Sequence, residues 1–288
     1  MRALTPLLAL ALLAGPAGAQ DRVASIGSSV TEIVYLLGQQ DRVVARDTTS
    51  TEPPEALALP DLGYLRALSA EGVLSVNPDL VLMSADSGPP EALAALESAG
   101  VPVVMVTDSP TVEGIAARIT TVAGALSVPE AGAELAAQVE AELKAAIAAA
   151  DPGDGPRPRV LFVLSNSGGR LTGAGDDTAA AAIIEMAGAQ NAVTGFSGYK
   201  PLGDEAVAAA MPDIVLTMQA GGGRDAIAGT PDEYIHHPAL AETPAGKAGR
   251  VVSLPGTFML VFGPRTPQAV SALHDAIAQA MAAAPEKS

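Results

Sequence analysis

The chain has 288 residues and a formal net charge of −16, and it is 49% hydrophobic with only 3% aromatic content. That length allows one large domain or two lobes of ordinary size. The acidic balance argues against a nucleic-acid or anionic-membrane partner, because no basic patch is present to release counterions.

Residues 1–19 read as an export signal. Arg2 supplies a positive start, an apolar run fills 7–13, Gly15-Pro16 breaks it, and Ala17-Gly18-Ala19 is a small-residue cleavage site. The run is too short to span a bilayer. No cysteine lies beside that site or anywhere else, so neither the usual bacterial lipid anchor nor a disulfide is expected. The expected location is the periplasm, with cleavage near Ala19.

A short strand is predicted at 22–26, an amphipathic helix at 31–37 stopped by Gly38, and a second strand at 42–45. Residues 59–68 read as a loop, between the turn-forming Pro60-Asp61 and a helical run from Ser69. A third strand is predicted at 80–83 after Asn77-Pro78-Asp79, a helix at 90–99 closed by Gly100, and a buried, uncharged strand at 101–106. Such alternation argues for a parallel sheet with helices on its faces.

Residues 128–150 differ: about 23 residues of good helix formers, with Pro129 in the first turn and Asp151-Pro152-Gly153 at the end. At 1.5 Å per residue this helix spans roughly 34 Å. It reads either as an ordinary surface helix or as a strut between two lobes. Internal similarity favours the strut. Asn77-Pro78-Asp79-Leu80-Val81-Leu82-Met83 recurs as Met211-Pro212-Asp213-Ile214-Val215-Leu216-Thr217, and a strand at 159–164 opens the second half as 22–26 opens the first. The helix-then-glycine run at 33–38 likewise recurs at 183–188. The expected division is a signal at 1–19, an N-terminal lobe at 20–127, an interlobe helix at 128–150 and a C-terminal lobe at 151–288. A cleft between lobes, near the carboxyl ends of strands, is where such folds bind ligands.

Catalytic signatures are missing. The histidines are His236, His237 and His274, and adjacent histidines diverge on a helix. There is no cysteine nucleophile, H-E-x-x-H, G-x-S-x-G or Walker loop. Gly173-Ala174-Gly175-Asp176-Asp177-Thr178 lacks a third glycine, and its carboxylates would repel a pyrophosphate. It reads instead as a turn with helix-capping residues. Gly221-Gly222-Gly223-Arg224 reads as a flexible loop, either a connector or a flank of the cleft. A binding protein is expected rather than an enzyme.

Gly63-Tyr64-Leu65-Arg66 is the most informative stretch. A free phenol titrates near pH 10. Fe(III) drives its deprotonation and a neighbouring guanidinium stabilises the phenolate. Tyrosinate is an axial donor to haem iron. The competing reading is a half-buried loop aromatic beside a solvated arginine.

The run from Asp61 to Leu74 around Tyr64 resembles the haem-ligand loop of periplasmic haem-binding proteins of bacterial ABC haem importers. Ser25-Ile26-Gly27-Ser28-Ser29-Val30-Thr31-Glu32, Asp47-Thr48-Thr49-Ser50, Gly198-Tyr199-Lys200-Pro201-Leu202 and Phe262-Gly263-Pro264-Arg265-Thr266 are similar too. The resemblance covers nearly all of the chain beyond the signal. It implies an α/β class III periplasmic binding protein: two Rossmann-like lobes with parallel sheets, joined by one long helix. It further implies a monomer holding ferric protoporphyrin IX edge-in between the lobes, with Tyr64 as iron ligand and Arg66 supporting the phenolate. Delivery would be to a permease dimer with a cytoplasmic ATPase, and the positions that match the docking acids are Glu71 and Glu205, which otherwise read as a pair of solvated helix carboxylates. Some members carry a histidine where this chain reads Ser165-Asn166-Ser167-Gly168-Gly169. A His/Tyr ligand pair is therefore not expected, and stacked double-haem binding that needs it is in doubt. Arg224 and Met218 are candidates to shield the sixth iron position. Phe258, Met259 and Leu260 form either an apolar wall of the site or ordinary core. The rival ligands for the same fold are a corrinoid or a ferric siderophore.

Overall fold

The computed structural model describes residues 22–219 and 231–283. The first half alternates β1 (Val23–Ile26), α1 (Ser28–Leu36), β2 (Val43–Arg46), α2 (Ala70–Ser75), β3 (Leu80–Ser84), α3 (Pro90–Ser98), β4 (Val103–Val106) and α4 (Val112–Ala125). Its strands form a four-stranded sheet in the order β2-β1-β3-β4, parallel throughout. The central strands β1 and β3 are buried at every residue, as aliphatic runs covered on both faces require. The strand predicted as buried at 101–106 is instead the edge strand β4, with Met105 40% exposed. Lack of charge there reflects an apolar edge, hydrogen-bonded on one side only.

The long helix α5 (Pro129–Ala150) has 22 residues and leads into the second half. It crosses α4 closely enough that a Cβ on Gly132 would lie 2.1 Å from that of Ala123, so only glycine fits there. Beyond it come β5 (Arg159–Ser167), β6 (Arg170–Ala174), α6 (Ala179–Met186), β7 (Gln190–Asn191), β8 (Tyr199–Pro201), α7 (Asp204–Ala210) and β9 (Ile214–Met218). Then follow α8 (Pro231–Ile235), α9 (Pro238–Ala241), α10 (Pro244–Ala248), β10 (Val251–Leu254), α11 (Gly256–Met259) and α12 (Thr266–Ala282).

The second sheet runs β10-β9-β5-β6-β8, with β7 beside β5. It is mixed rather than purely parallel, because β5 and β6 form an antiparallel hairpin and β8 adds antiparallel to β6. The hairpin turns on Gly168 and Gly169, at φ 60° and 79°. Two consecutive left-handed residues are what a tight hairpin of this hand demands. His237 braces this turn. Its Nδ1 accepts the Ala239 N–H at 3.2 Å, which leaves Nε2 as the protonated nitrogen donating to the Gly169 carbonyl at 2.9 Å.

The internal repeat has a shared geometry. Asn77 and Met211 both adopt left-handed backbone, at φ 46° and 43°, before a Pro-Asp pair. The Asp79 and Asp213 N–H groups then donate to the carbonyls of Arg22 and Arg159, at 2.7 and 2.8 Å. Each turn thereby sets its strand parallel to the first strand of its own sheet.

Side chains alternate across each strand. Leu80, Leu82, Val160, Phe162 and Leu216 join Val139, Leu143 and Leu273 of α5 and α12 in one continuous core. The opposite faces carry separate clusters, one around Ile26, Val81 and Met83 and one around Leu161, Val163 and Val215. No helix among the described residues is long and apolar enough to cross a membrane.

Candidate functional site

A cavity of about 850 Å³ lies between the two halves, within the usual size range of small-molecule sites. The carboxyl ends of all four strands of the first sheet contribute to it, through Ser28 and Ser29 after β1, Thr48 and Thr49 after β2, Ser84 and Asp86 at β3, and Asp108 after β4. That is where open α/β sheets bind ligands. The second half adds Leu164, Thr178, Tyr199, Met218, Thr257 and Leu260.

Tyr64 reaches the cavity because its loop is pinned on both sides. Upstream, the loop runs alongside β2: the Arg46 N–H donates to Pro60 O at 3.0 Å, Leu62 N–H to Arg46 O at 2.8 Å and Thr48 N–H to Gly63 O at 2.9 Å. Asp61 locks that stretch by accepting from Arg46 and from the Thr48 hydroxyl, both at 3.1 Å. Downstream, Leu65 and Leu68 are buried in the cluster under the sheet, and their backbones bond Gly88. With those leucines facing inward, Tyr64 and Arg66 both line the cavity.

The Arg66 Nη1 group lies 3.4 Å from the Tyr64 hydroxyl oxygen. Arg66 also pairs through Nη2 with the Asp86 carboxylate. Burial pushes the Tyr64 phenol above its ordinary range; Arg66 opposes this, while Asp86 and Asp47 add to it. In the free protein Tyr64 is therefore a neutral phenol at neutral pH, beside a cation that is shared with Asp86.

A second tyrosine enters from the other half. Tyr199 lies edge-on to Phe162, with ring centroids 6.2 Å apart. It is 38% exposed and lines the same cavity. Burial of its phenol raises its pKa, opposed by the Ala180 backbone, by Arg66 and by the Thr178 hydroxyl. Tyr64 and Tyr199 thus face one space from opposite lobes, with Arg66 acting on both.

The floor carries an arginine. Arg118 of α4 is 2% exposed and lines the cavity. Its Nε donates to Thr107 O at 2.7 Å; its Nη1 donates to Ser29 Oγ at 2.9 Å, to Val261 O at 2.7 Å and to Phe262 O. These bonds join the first half to the 261–262 segment of the second, where Phe262 adopts φ 51°. Three residues on, Arg265 donates to both carboxylate oxygens of Glu32 in α1, at 3.0 and 2.7 Å.

Of the other residues singled out in the sequence, Met218 and Leu260 line the cavity. Met259 is buried in the core. Phe258 packs on that core beneath Arg265, whose guanidinium carbon lies 5.5 Å from the ring centre, and is not among the cavity-lining residues. Glu71 and Glu205 are exposed, each in the first turn of its helix, α2 and α7. Arg224 and the glycines before it lie outside the described residues. Thr178 caps α6 by accepting the Ala181 N–H at 3.0 Å, and Asp176 accepts the Gly195 N–H at 2.7 Å. Sequence reasoning missed Asp86, Arg118 and Asp108, and did not assign Tyr199 to the site. Arg118 had a visible signal: it sits three residues after Ile115 and four before Val122, on the apolar stripe of α4.

The Periplasmic binding protein family profile matches residues 23–257. The chain belongs to that family. Among solved structures, this periplasmic binding protein is similar to the heme-binding protein BhuT in complex with two hemes, at 47% identity and a TM-score of 0.84, covering 91% of this chain and 99% of that one. The periplasmic heme-binding protein RhuT from Roseiflexus sp. RS-1 gives 40% identity and a TM-score of 0.84 over the same shares. Two relatives match over shorter stretches. The ABC transporter substrate-binding lipoprotein YvrC of Bacillus subtilis is 27% identical over 68% of this chain and 63% of its own length. A vitamin B12-binding protein of Vibrio campbellii is 31% identical over 44% of this chain and 46% of its own.

Proposed function

We propose that this protein captures ferric haem in the interlobe cavity, with Tyr64 as the iron ligand, and delivers it from the periplasm to an ABC importer in the inner membrane. The observation that carries the reading is the placement of Tyr64 and Arg66 together on the cavity wall, at 3.4 Å from one another. Ferric iron displaces the phenol proton, and the anionic oxygen that remains is held by Arg66. Being anionic, tyrosinate favours the ferric over the ferrous state. Leu164, Leu260 and Met218 supply apolar contact for a porphyrin face, as cofactor pockets generally do. The 47% identity to BhuT supports the same ligand class. Glu71 and Glu205 are the proposed docking contacts for the two permease subunits.

A titration with ferric haem, followed by absorption spectroscopy in wild type and in Tyr64→Ala, tests this reading. Its end point also gives the stoichiometry, on which the missing histidine at 165–167 and the two-heme form of BhuT point in different directions. The similarity to a vitamin B12-binding protein favours a second reading, a corrinoid ligand. On that reading Tyr64 is dispensable and cobalamin, not haem, binds.

A further inference from the structure

Resting on the haem reading, we infer that Arg118 forms a carboxylate subsite at the floor of the cavity, where the two unclaimed N–H groups of its Nη2 take a propionate of the ligand. A guanidinium has five N–H donors in a fixed fork. Nε and Nη1 of Arg118 are committed to Thr107, Ser29, Val261 and Phe262. Among the described residues no hydrogen bond is made by Nη2, and Arg118 lines the cavity. All the acceptors Arg118 does have are neutral oxygens, so none cancels its charge.

A buried cation without an anionic partner is costly to the fold. Burial lowers the Arg118 pKa to about 10, against the pull of Asp108 and Asp86, so it remains charged at neutral pH. The other cation among the described residues of the cavity wall, Arg66, is already paired with Asp86. Arg118 is therefore the place where a carboxylate entering the cavity finds uncommitted donors. Asp108, exposed beside it on the same wall, works against that carboxylate and sets a limit on the gain. The subsite also discriminates by chemistry: haem presents carboxylates, whereas a ligand bearing amides in their place gains no ion pair.

The test compares ferric haem with ferric protoporphyrin IX dimethyl ester, in one buffer with a solubilising detergent. Wild type is expected to bind the ester about tenfold or more weakly, the scale of one hydrogen-bonded charge pair. Arg118→Gln should erase that ratio and Arg118→Lys should restore part of it. Asp108→Asn, a change at an exposed position of the cavity wall, should tighten the acid form more than the ester and so raise the acid-to-ester ratio. Equal binding of acid and ester by wild type overturns the inference, as does an Arg118→Gln protein that loses both ligands in equal proportion. If the Arg118 variants do not fold, an unchanged acid-to-ester ratio in Asp108→Asn overturns it. A wild type that binds neither porphyrin refutes the haem reading itself.

Discussion

Replacing Arg265 by alanine removes the guanidinium that fastens α12 of one lobe to α1 of the other. The Glu32 side chain is 7% exposed and that of Arg265 is 34% exposed. After the change, Glu32 keeps one long bond, from the Ser28 hydroxyl at 3.4 Å. Orphaning one partner of a buried pair costs about 3–5 kcal/mol. The partial exposure of Arg265 lets water reach the remaining carboxylate, which lowers the expectation to about 2–3 kcal/mol. The reverse change, Glu32→Gln, leaves a guanidinium that is partly solvated and still over the Phe258 ring, so about 1 kcal/mol is expected. Urea unfolding followed by circular dichroism and by tyrosine fluorescence reads both values. The two probes should coincide, because the core runs through both sheets. An Arg265→Ala cost below about 0.5 kcal/mol, the size of an ordinary surface change, would refute the reasoning. So would a larger cost for Glu32→Gln than for Arg265→Ala.

Three further outcomes follow from the site. On the proposed ligation, the Tyr64 phenol, held above its ordinary pKa, must lose its proton when iron binds. Ferric haem affinity should therefore rise with pH, by up to about tenfold per unit across neutrality, and Tyr64→Phe should flatten that slope in titrations at successive pH values. Asp86→Asn removes a charge that raises the Tyr64 pKa and frees Arg66 for the phenolate; ultraviolet titration should find the phenol ionising at lower pH, with ferric haem bound several-fold more tightly, on the order of one charge-assisted hydrogen bond at a partly exposed site. Glu71→Lys and Glu205→Lys should slow haem delivery to a reconstituted transporter and leave the binding spectrum unchanged; unaltered uptake would remove the docking assignment.

The alternation of strand and helix, the strut and the repeat were legible because each depends on local pattern: apolar runs, good helix formers, and Pro-Asp turns. The stretch 107–127 was not legible as an element, although α4 occupies Val112–Ala125 and holds Arg118. The β5–β6 hairpin was equally hidden. Antiparallel pairing across Gly168-Gly169 is decided by what lies across the sheet. The strand at 101–106 looked buried because charge is missing there, and strand order, not composition, makes it an edge. Within the site, Tyr64 and Arg66 are two residues apart and share one loop, so their partnership was readable. Asp86 meets Arg66 from 20 residues away and Arg118 meets Val261 from 143. Contacts of that range follow from the closing of the two lobes on one another, which no local pattern encodes.

Tyrosinate ligation of ferric haem is the central claim. The most direct measurement is the absorption spectrum of purified protein with ferric haem, taken beside Tyr64→Ala under the same conditions. A defined ferric tyrosinate spectrum in wild type, lost with a large fall in affinity in Tyr64→Ala, is the predicted result. A wild type without a defined ferric spectrum, or a variant that binds equally well with the same spectrum, would contradict it.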